Sequence, residues 1–169
     1  MGPECTGKSD LSQFLAKHYN TQWVPEFART YLENLQRPYD QQDLLNIALG
    51  QLKLEDEIST KANKILVCDT NLYVIKVWSE FKYGFLDEEI KNLMLARKYD
   101  LYLLTYIDIP WEFDPQREHP NQRQELYEIY LNEMTSQAVP FIEIKGSRHE
   151  RRQRAISAIE NILFQRSFS

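Results

Sequence analysis

Near its start the chain reads Gly2-Pro3-Glu4-Cys5-Thr6-Gly7-Lys8-Ser9, followed directly by an apolar helical pattern. The spacing satisfies G-x-x-x-x-G-K-[ST], the P-loop pattern. Two glycines let backbone wrap an anion, so that several N–H groups and a helix N-terminus converge on phosphate oxygens. Lys8 is then placed to reach the β- and γ-phosphates, and the Ser9 hydroxyl to ligate Mg²⁺. Gly2, Glu4, Cys5, Thr6, Gly7, Lys8 and Ser9 are the predicted contacts of a bound nucleoside triphosphate.

Other residue types could complete such chemistry. Asp69 follows the apolar run Ile65-Leu66-Val67-Cys68, and a charge there is costly unless it meets a metal, a cation or a substrate hydroxyl. It resembles a Walker B acid, though capping the next helix is the alternative role. Glu26 lies just past Trp23-Val24 and three residues before Arg29. Its carboxylate suits the proton of a substrate hydroxyl while the arginine faces a phosphate, or the two form a surface ion pair. From Pro110 through Arg123 the chain is rich in Pro, Asp and Arg and reads as a lid. Arg117 and Arg123 are the candidates to meet charge spreading in a phosphoryl-transfer transition state, a solvated loop being the plainer reading. Trp111 is badly placed there for a core. The cluster Arg148, Arg151, Arg152 and Arg154 reads as a solvated helix face, with one arginine available to pack on a base.

The elements that must position these groups follow from periodicity and punctuation. A helix runs from the P-loop to about Asn20, with Leu11, Phe14, Leu15 and Tyr19 on its apolar face. A short strand at Gln22-Trp23-Val24 precedes a helix opened by Glu26, with Phe27, Tyr31, Leu32 and Leu35 inward and Pro38 as its stop. Asp40 caps a long helix to about Ala62, in which Glu55-Asp56-Glu57 reads as a solvated face. Strands are expected at Ile65 to Cys68, Leu101 to Tyr106 and Pro140 to Ile144. Further helices are expected from Val74 to near Gly84, Asp87 to Arg97, Gln122 to Gln137, and after Gly146-Ser147 with Ile156, Ile159 and Leu163 inward.

Alternating strands and helices predict an α/β fold, a parallel sheet covered by helices, in one domain over residues 1–169 with a lid at about 108–122. In such sheets ligands lie beyond the carboxyl ends of strands, so Glu26, Asp69, Asp108 and Ser147 are expected to share an edge with the P-loop. The strand that feeds a P-loop is normally central and precedes it, yet only Met1 precedes Gly2. Several apolar residues upstream are therefore expected.

Composition narrows the function. With 43% hydrophobic and 27% charged residues the chain can bury a core, and its net charge of −5 argues against a nucleic-acid surface. No run approaches the ~20 apolar residues of a membrane span. Two cysteines, Cys5 and Cys68, predict a reduced, cytoplasmic setting. The three histidines lack metal-ligand spacing.

The segments GPECTGKS, WVPEFAR, IALGQLKLEDE, ILVCDTNL, VWSEFKYG, DIPWEFDPQREHPNQR and PFIEIKGS, in that order, resemble the ribosylnicotinamide kinase domain of NadR-type proteins and their stand-alone relatives, often labelled AAA-type ATPases. The resemblance implies a P-loop NTPase fold and ATP-dependent, Mg²⁺-assisted phosphorylation of nicotinamide riboside to nicotinamide mononucleotide. By position it puts Gly2 to Ser9 on ATP and Mg²⁺, and Asp69 on the ribose or metal side. Glu26 and Arg29 fall near the acceptor, and Arg117 and Arg123 in the lid. The riboside's cationic pyridinium could be recognised by the face of Trp111 together with the carboxylate of Asp108 or Asp114. A kinase of another nucleoside or small hydroxyl metabolite, and an ATP-binding regulatory module, are the alternatives.

Overall fold

A computed structural model describes residues 1–136 and 140–167. In chain order these form α1 (Lys8–His18), β1 (Trp23–Val24), α2 (Phe27–Asn34), α3 (Gln41–Ser59), β2 (Val67–Cys68), α4 (Leu72–Tyr83), α5 (Glu88–Ala96), β3 (Tyr102–Thr105), α6 (Arg123–Ser136), β4 (Phe141–Ile144) and α7 (Arg148–Arg166). Gln137, expected to end α6, lies outside the described residues. Helix ends follow their caps. Asp40 and Asp43 form a capping box on α3, Asp87 caps α5, and Ser147 with Glu150 forms a second box on α7. Gly84 ends α4 in the left-handed conformation.

Both strand pairs are parallel: β1 with β2 and β3 with β4. The ladders are shorter than the apolar runs that announce them. The Met1 amino group donates to Leu103 O at 2.8 Å, and Thr105 N donates to Met1 O at 2.9 Å. Those two bonds straddle Leu104, the pattern of a parallel neighbour, so Met1 lies beside β3 as the position before a P-loop requires.

The chain divides into two compact units, one of Met1–Leu15 with Tyr99–Ser169 and one of Ala16–Lys98. In the second unit Ala28, Leu44, Ile47, Ala48, Leu72, Ile75 and Ile90 make a core drawn from α2, α3, α4 and α5. The expected stripe of α2 is only partly covered, with Phe27, Tyr31 and Leu32 packed at the margin of that core. Glu55, expected on a solvated face, is 2% exposed. Arg97 and Gln51 approach it, which is how a carboxylate stays buried.

Gly50 sits inside α3, where glycine costs about 1 kcal/mol relative to alanine. A Cβ there would lie 2.1 Å from Phe27 Cε1, so the ring occupies the space of a side chain. Gly50→Ala is expected to destabilise by about 1–3 kcal/mol despite the better helix propensity. Urea unfolding measures it, and a gain in stability would show that the ring moves aside freely.

Asp43 carries a second expectation. It accepts from Arg37 Nη1 at 2.7 Å, Tyr31 Oη at 2.8 Å and Asp40 N at 2.8 Å. The Arg37 guanidinium, outweighing burial, holds its carboxyl well below the ordinary range. A lowered folded value means that the stabilisation is complete above the unfolded carboxylate pKa and is lost as pH falls through the folded one. Asp43→Asn should therefore lower stability at pH 7 and flatten the acid limb of the stability curve below about pH 4.

In the first unit, Leu126, Tyr127, Tyr130 and Met134 of α6 are buried, and Ile129 beside them is half-buried. Tyr127 donates to Glu143 Oε2 at 2.6 Å, and burial with that carboxylate pushes its hydroxyl well above the ordinary value. On α7 the predicted inward residues Ile156, Ile159 and Leu163 are half-buried, whereas Arg151 and Ala155 are fully so.

Candidate nucleotide site

The loop at residues 2–7 owes its shape to positive φ angles of 132° at Gly2, 54° at Cys5 and 76° at Gly7. Gly2 has a second constraint, since a Cβ there would meet Thr105 Oγ1 at 2.7 Å. Beneath the loop two buried hydroxyls pin it to β3. Thr6 Oγ1 lies 2.8 Å from Pro3 O and 2.7 Å from Thr105 Oγ1, which lies 3.0 Å from Met1 O, so the two hydroxyl protons are shared among three contacts. Lys8 Nζ donates to Gly2 O at 3.0 Å and Pro3 O at 2.8 Å. An ammonium has three donors, so this geometry fixes Lys8 over its own loop and keeps one proton for a phosphate oxygen. Ser9 is exposed in the first turn of α1.

Arg151 is the largest departure from the sequence reading. Expected on a solvated face, it is 5% exposed and anchors the P-loop from behind. Its guanidinium donates to Thr6 O at 2.8 Å, Tyr106 O at 2.9 Å and Gly146 O at 3.1 Å, and pairs with Asp108. Asp108 also accepts from Gly146 N at 2.6 Å. Burial raises its pKa, but the Gly146 amide and Arg151 outweigh that and hold it below the ordinary value. Asp108, after β3, thus reaches the P-loop through Arg151, and Gly146, after β4, lines the same cavity as Gly7.

A cavity of about 240 Å³ opens beside this edge, lined by Gly7, Leu11, Ile109, Gly146, Arg148 and Arg152 among others. Arg152 lies over the Phe14 ring at 4.1 Å, and Arg148 pairs with Asp10, holding that carboxyl below its usual range. Its lining combines the apolar Leu11 and Ile109 with arginines paired to Asp10, side chains able to pack on an aromatic base.

The loop between β3 and α6 is tied to the P-loop at several points. Glu4 accepts from Glu118 N and His119 N, both at 3.1 Å. Cys5 Sγ donates to Pro110 O at 3.4 Å and accepts from Glu112 N at 3.3 Å. Arg123, the first residue of α6, donates to Cys5 O at 2.9 Å and Ile109 O at 3.0 Å. Arg117 bonds Glu112 O at 2.5 Å. Both guanidiniums flank the half-buried Trp111 ring, at 5.9 Å for Arg117 and 5.8 Å for Arg123.

The remaining predicted residues belong to the second unit. Asp69 lies beyond β2 and is 3% exposed. Its amide continues the ladder to Val24 O at 3.0 Å. Capping of α4, its alternative role, falls instead to Asn71, which accepts from Tyr73 N and Val74 N. Asp69 Oδ1 has no hydrogen-bond partner among the described residues. Because β1 and β2 are parallel, Glu26 and Asp69 lie beyond the same ends of that ladder. Arg29 is exposed on the first turn of α2. Gln51 and Glu55, which residue type alone hides, lie buried behind this edge. Among the described residues no helix is long and apolar enough to cross a membrane.

A glycine-shaped anion loop at the N-terminus of a helix, a lysine folded over it and a parallel ladder beside it define a P-loop nucleotide-binding domain. Residues 1–151 match the AAA domain family, and the chain belongs to that family. Its relatives include the trifunctional NAD biosynthesis/regulator protein NadR of Salmonella typhimurium and that of Escherichia coli. Each is 24% identical over 160 residues, covering 90% of this chain and 38% of the relative. A NadR protein in complex with NR superposes with a TM-score of 0.81 at 20% identity, over 96% of this chain and 50% of that one. Another, in complex with NAD and AMP-PNP, superposes with a TM-score of 0.74 at 21% identity, over 96% of this chain and 48% of that one. The fold is that of P-loop NTPases, and the chain spans well under half the length of the curated relatives.

Proposed function

We propose that the chain is an ATP-dependent kinase of a small hydroxyl substrate, phosphorylating nicotinamide riboside to nicotinamide mononucleotide. The observation that carries this reading is an intact phosphate loop in a chain that superposes over nearly its whole length on a protein holding NR. The relative with AMP-PNP supports a nucleotide on the same fold. In this scheme residues 1–169 act as one domain, and the segment at about 108–122 is its lid.

The amides of residues 4 to 8 and the N-terminus of α1 bind the phosphates, and the third proton of Lys8 bonds the γ-phosphoryl oxygens. The cavity beside Arg148 and Arg152 takes the base. Hard oxygen donors suit Mg²⁺, and the Ser9 hydroxyl and Asp69 Oδ1, buried with no hydrogen-bond partner among the described residues, are its candidate ligands. When bound, the ion neutralises phosphate charge. Glu26 or Asp69 accepts the proton of the acceptor hydroxyl as its oxygen forms a bond to the γ-phosphorus and the bond to ADP breaks. Arg29 holds the acceptor side, while Arg117 and Arg123 meet charge on the transferring group.

Trp111 is the proposed platform for the acceptor ring. Its two flanking guanidiniums favour a neutral or anionic ring over a cationic pyridinium, which gives a second reading: a kinase of another nucleoside. ADP release from Mg-ATP, measured with nicotinamide riboside and with a panel of neutral nucleosides, separates the two. Release stimulated by the riboside alone supports the first, and release stimulated only by other nucleosides replaces it. ATP binding with no acceptor stimulation would instead leave a regulatory module.

A further inference from the structure

Gln51 lies in the middle of α3 with 1% of its surface exposed. Its Oε1 accepts the Phe27 amide at 3.0 Å, and its Nε2 donates at 3.5 Å to Thr70 O and at 3.5 Å to Glu55 Oε1. The orientation of the amide is unambiguous, because flipping it would face N–H against N–H at Phe27 and oxygen against two acceptors at the other end. Phe27 is the first helical residue of α2 and directly follows Glu26. Thr70 directly follows Asp69. One buried side chain therefore holds the backbone next to both carboxylates.

Capping duties at both places are met by other groups. The Glu26 side chain makes no capping bond to α2, whose first amide is taken by Gln51 instead. The first amides of α4 are taken by Asn71, not Asp69. Orphan helix N–H groups ordinarily draw in the nearest carboxylate. The amides that open α2 and α4 are thus capped by neither Glu26 nor Asp69.

We infer that Gln51 is a positioning residue that sets the separation of Glu26 and Asp69 for proton removal from the acceptor. The inference rests on the kinase reading. It predicts that losing the bridge affects the chemical step and leaves nucleotide binding alone. Gln51→Met keeps the volume and removes all three bonds, and Gln51→Asn keeps the amide but shortens its reach.

The test measures kcat, KM for ATP and ATP affinity by calorimetry for the wild type, both variants, Asp69→Asn and the double variant Gln51→Met/Asp69→Asn. Misplacement on the ångström scale should lower kcat by about 10- to 100-fold with ATP affinity within about twofold. If Gln51 acts through Asp69, adding Gln51→Met to Asp69→Asn should cost less than about threefold more. Full multiplication of the two losses, or a wild-type kcat in a folded Gln51 variant, overturns the inference while leaving the kinase intact. Should Gln51→Met fail to fold, Gln51→Asn carries the same comparison. A wild-type chain whose ADP release no acceptor stimulates overturns the kinase reading, and the role of Gln51 with it.

Discussion

Lys8→Ala should lower acceptor-dependent ADP release by at least about 10²-fold, the scale on which a single preorganised donor to transition-state charge acts. Two of the ammonium's three protons rest on Gly2 O and Pro3 O, so the charge is held at the loop before any phosphate arrives. That placement costs no reorganisation when charge develops. The methyl group of alanine removes the charge and leaves two carbonyls that water can solvate, since Lys8 is only half-buried. The thermal midpoint should therefore move little while turnover collapses. Lys8→Arg keeps the charge but has a planar fork that cannot seat over two carbonyls in the same way, and it should recover only part of the rate. If Lys8→Ala retained more than a tenth of the wild-type rate, the roles assigned to the loop would fail.

The second large effect is on stability. Arg151→Met removes one long side chain for another, so volume is nearly kept while the buried charge is lost. Thr6 O, Tyr106 O and Gly146 O each lose a donor, and Asp108 loses its cationic partner while keeping the Gly146 amide. Breaking a buried pair by removing one partner costs about 3–5 kcal/mol. For a chain of this length that corresponds to a fall in Tm of roughly 6–20 °C. Asp108→Asn in the same chain removes the stranded carboxylate, so the double variant should be more stable than the sum of the two losses. ATP affinity should fall in Arg151→Met as well, because Thr6 O belongs to the phosphate loop. A loss under about 1 kcal/mol would mean that water replaces the guanidinium, contrary to its burial.

The phosphate loop was open to sequence reading because its chemistry needs particular side chains at fixed spacing. Asp69 stood out because a charge at the end of an apolar run calls for a partner, and the structure buries it beyond β2. Sequence left its two roles undecided because both Asp69 and Asn71 are good caps, and only the backbone path shows that Asn71 takes the α4 amides. Arg151, Glu55 and Gln51 escaped because helical periodicity sorts residues by type. Each of these polar groups is buried through partners supplied by the fold. The partner of Arg151 at Thr6 lies 145 residues away, and that of Glu4 at Glu118 lies 114 away. The ladders of β1 and β2 fell short of their apolar runs because pairing, unlike hydrophobicity, needs a neighbour at every position.

The contact of Gly50 with Phe27 reaches beyond stability, into which sequences can carry this arrangement. Position 50 has no room for a side chain while position 27 holds a benzyl group in that place. Drift at the two positions is therefore coupled: a chain that gains bulk at 50 must shed it at 27. The next residue along α3 is Gln51, whose 3.0 Å bond to the Phe27 amide depends on the same close approach of α2 to α3. Among diverging copies, glycine at 50, an aromatic ring at 27 and an amide at 51 should be inherited or exchanged together.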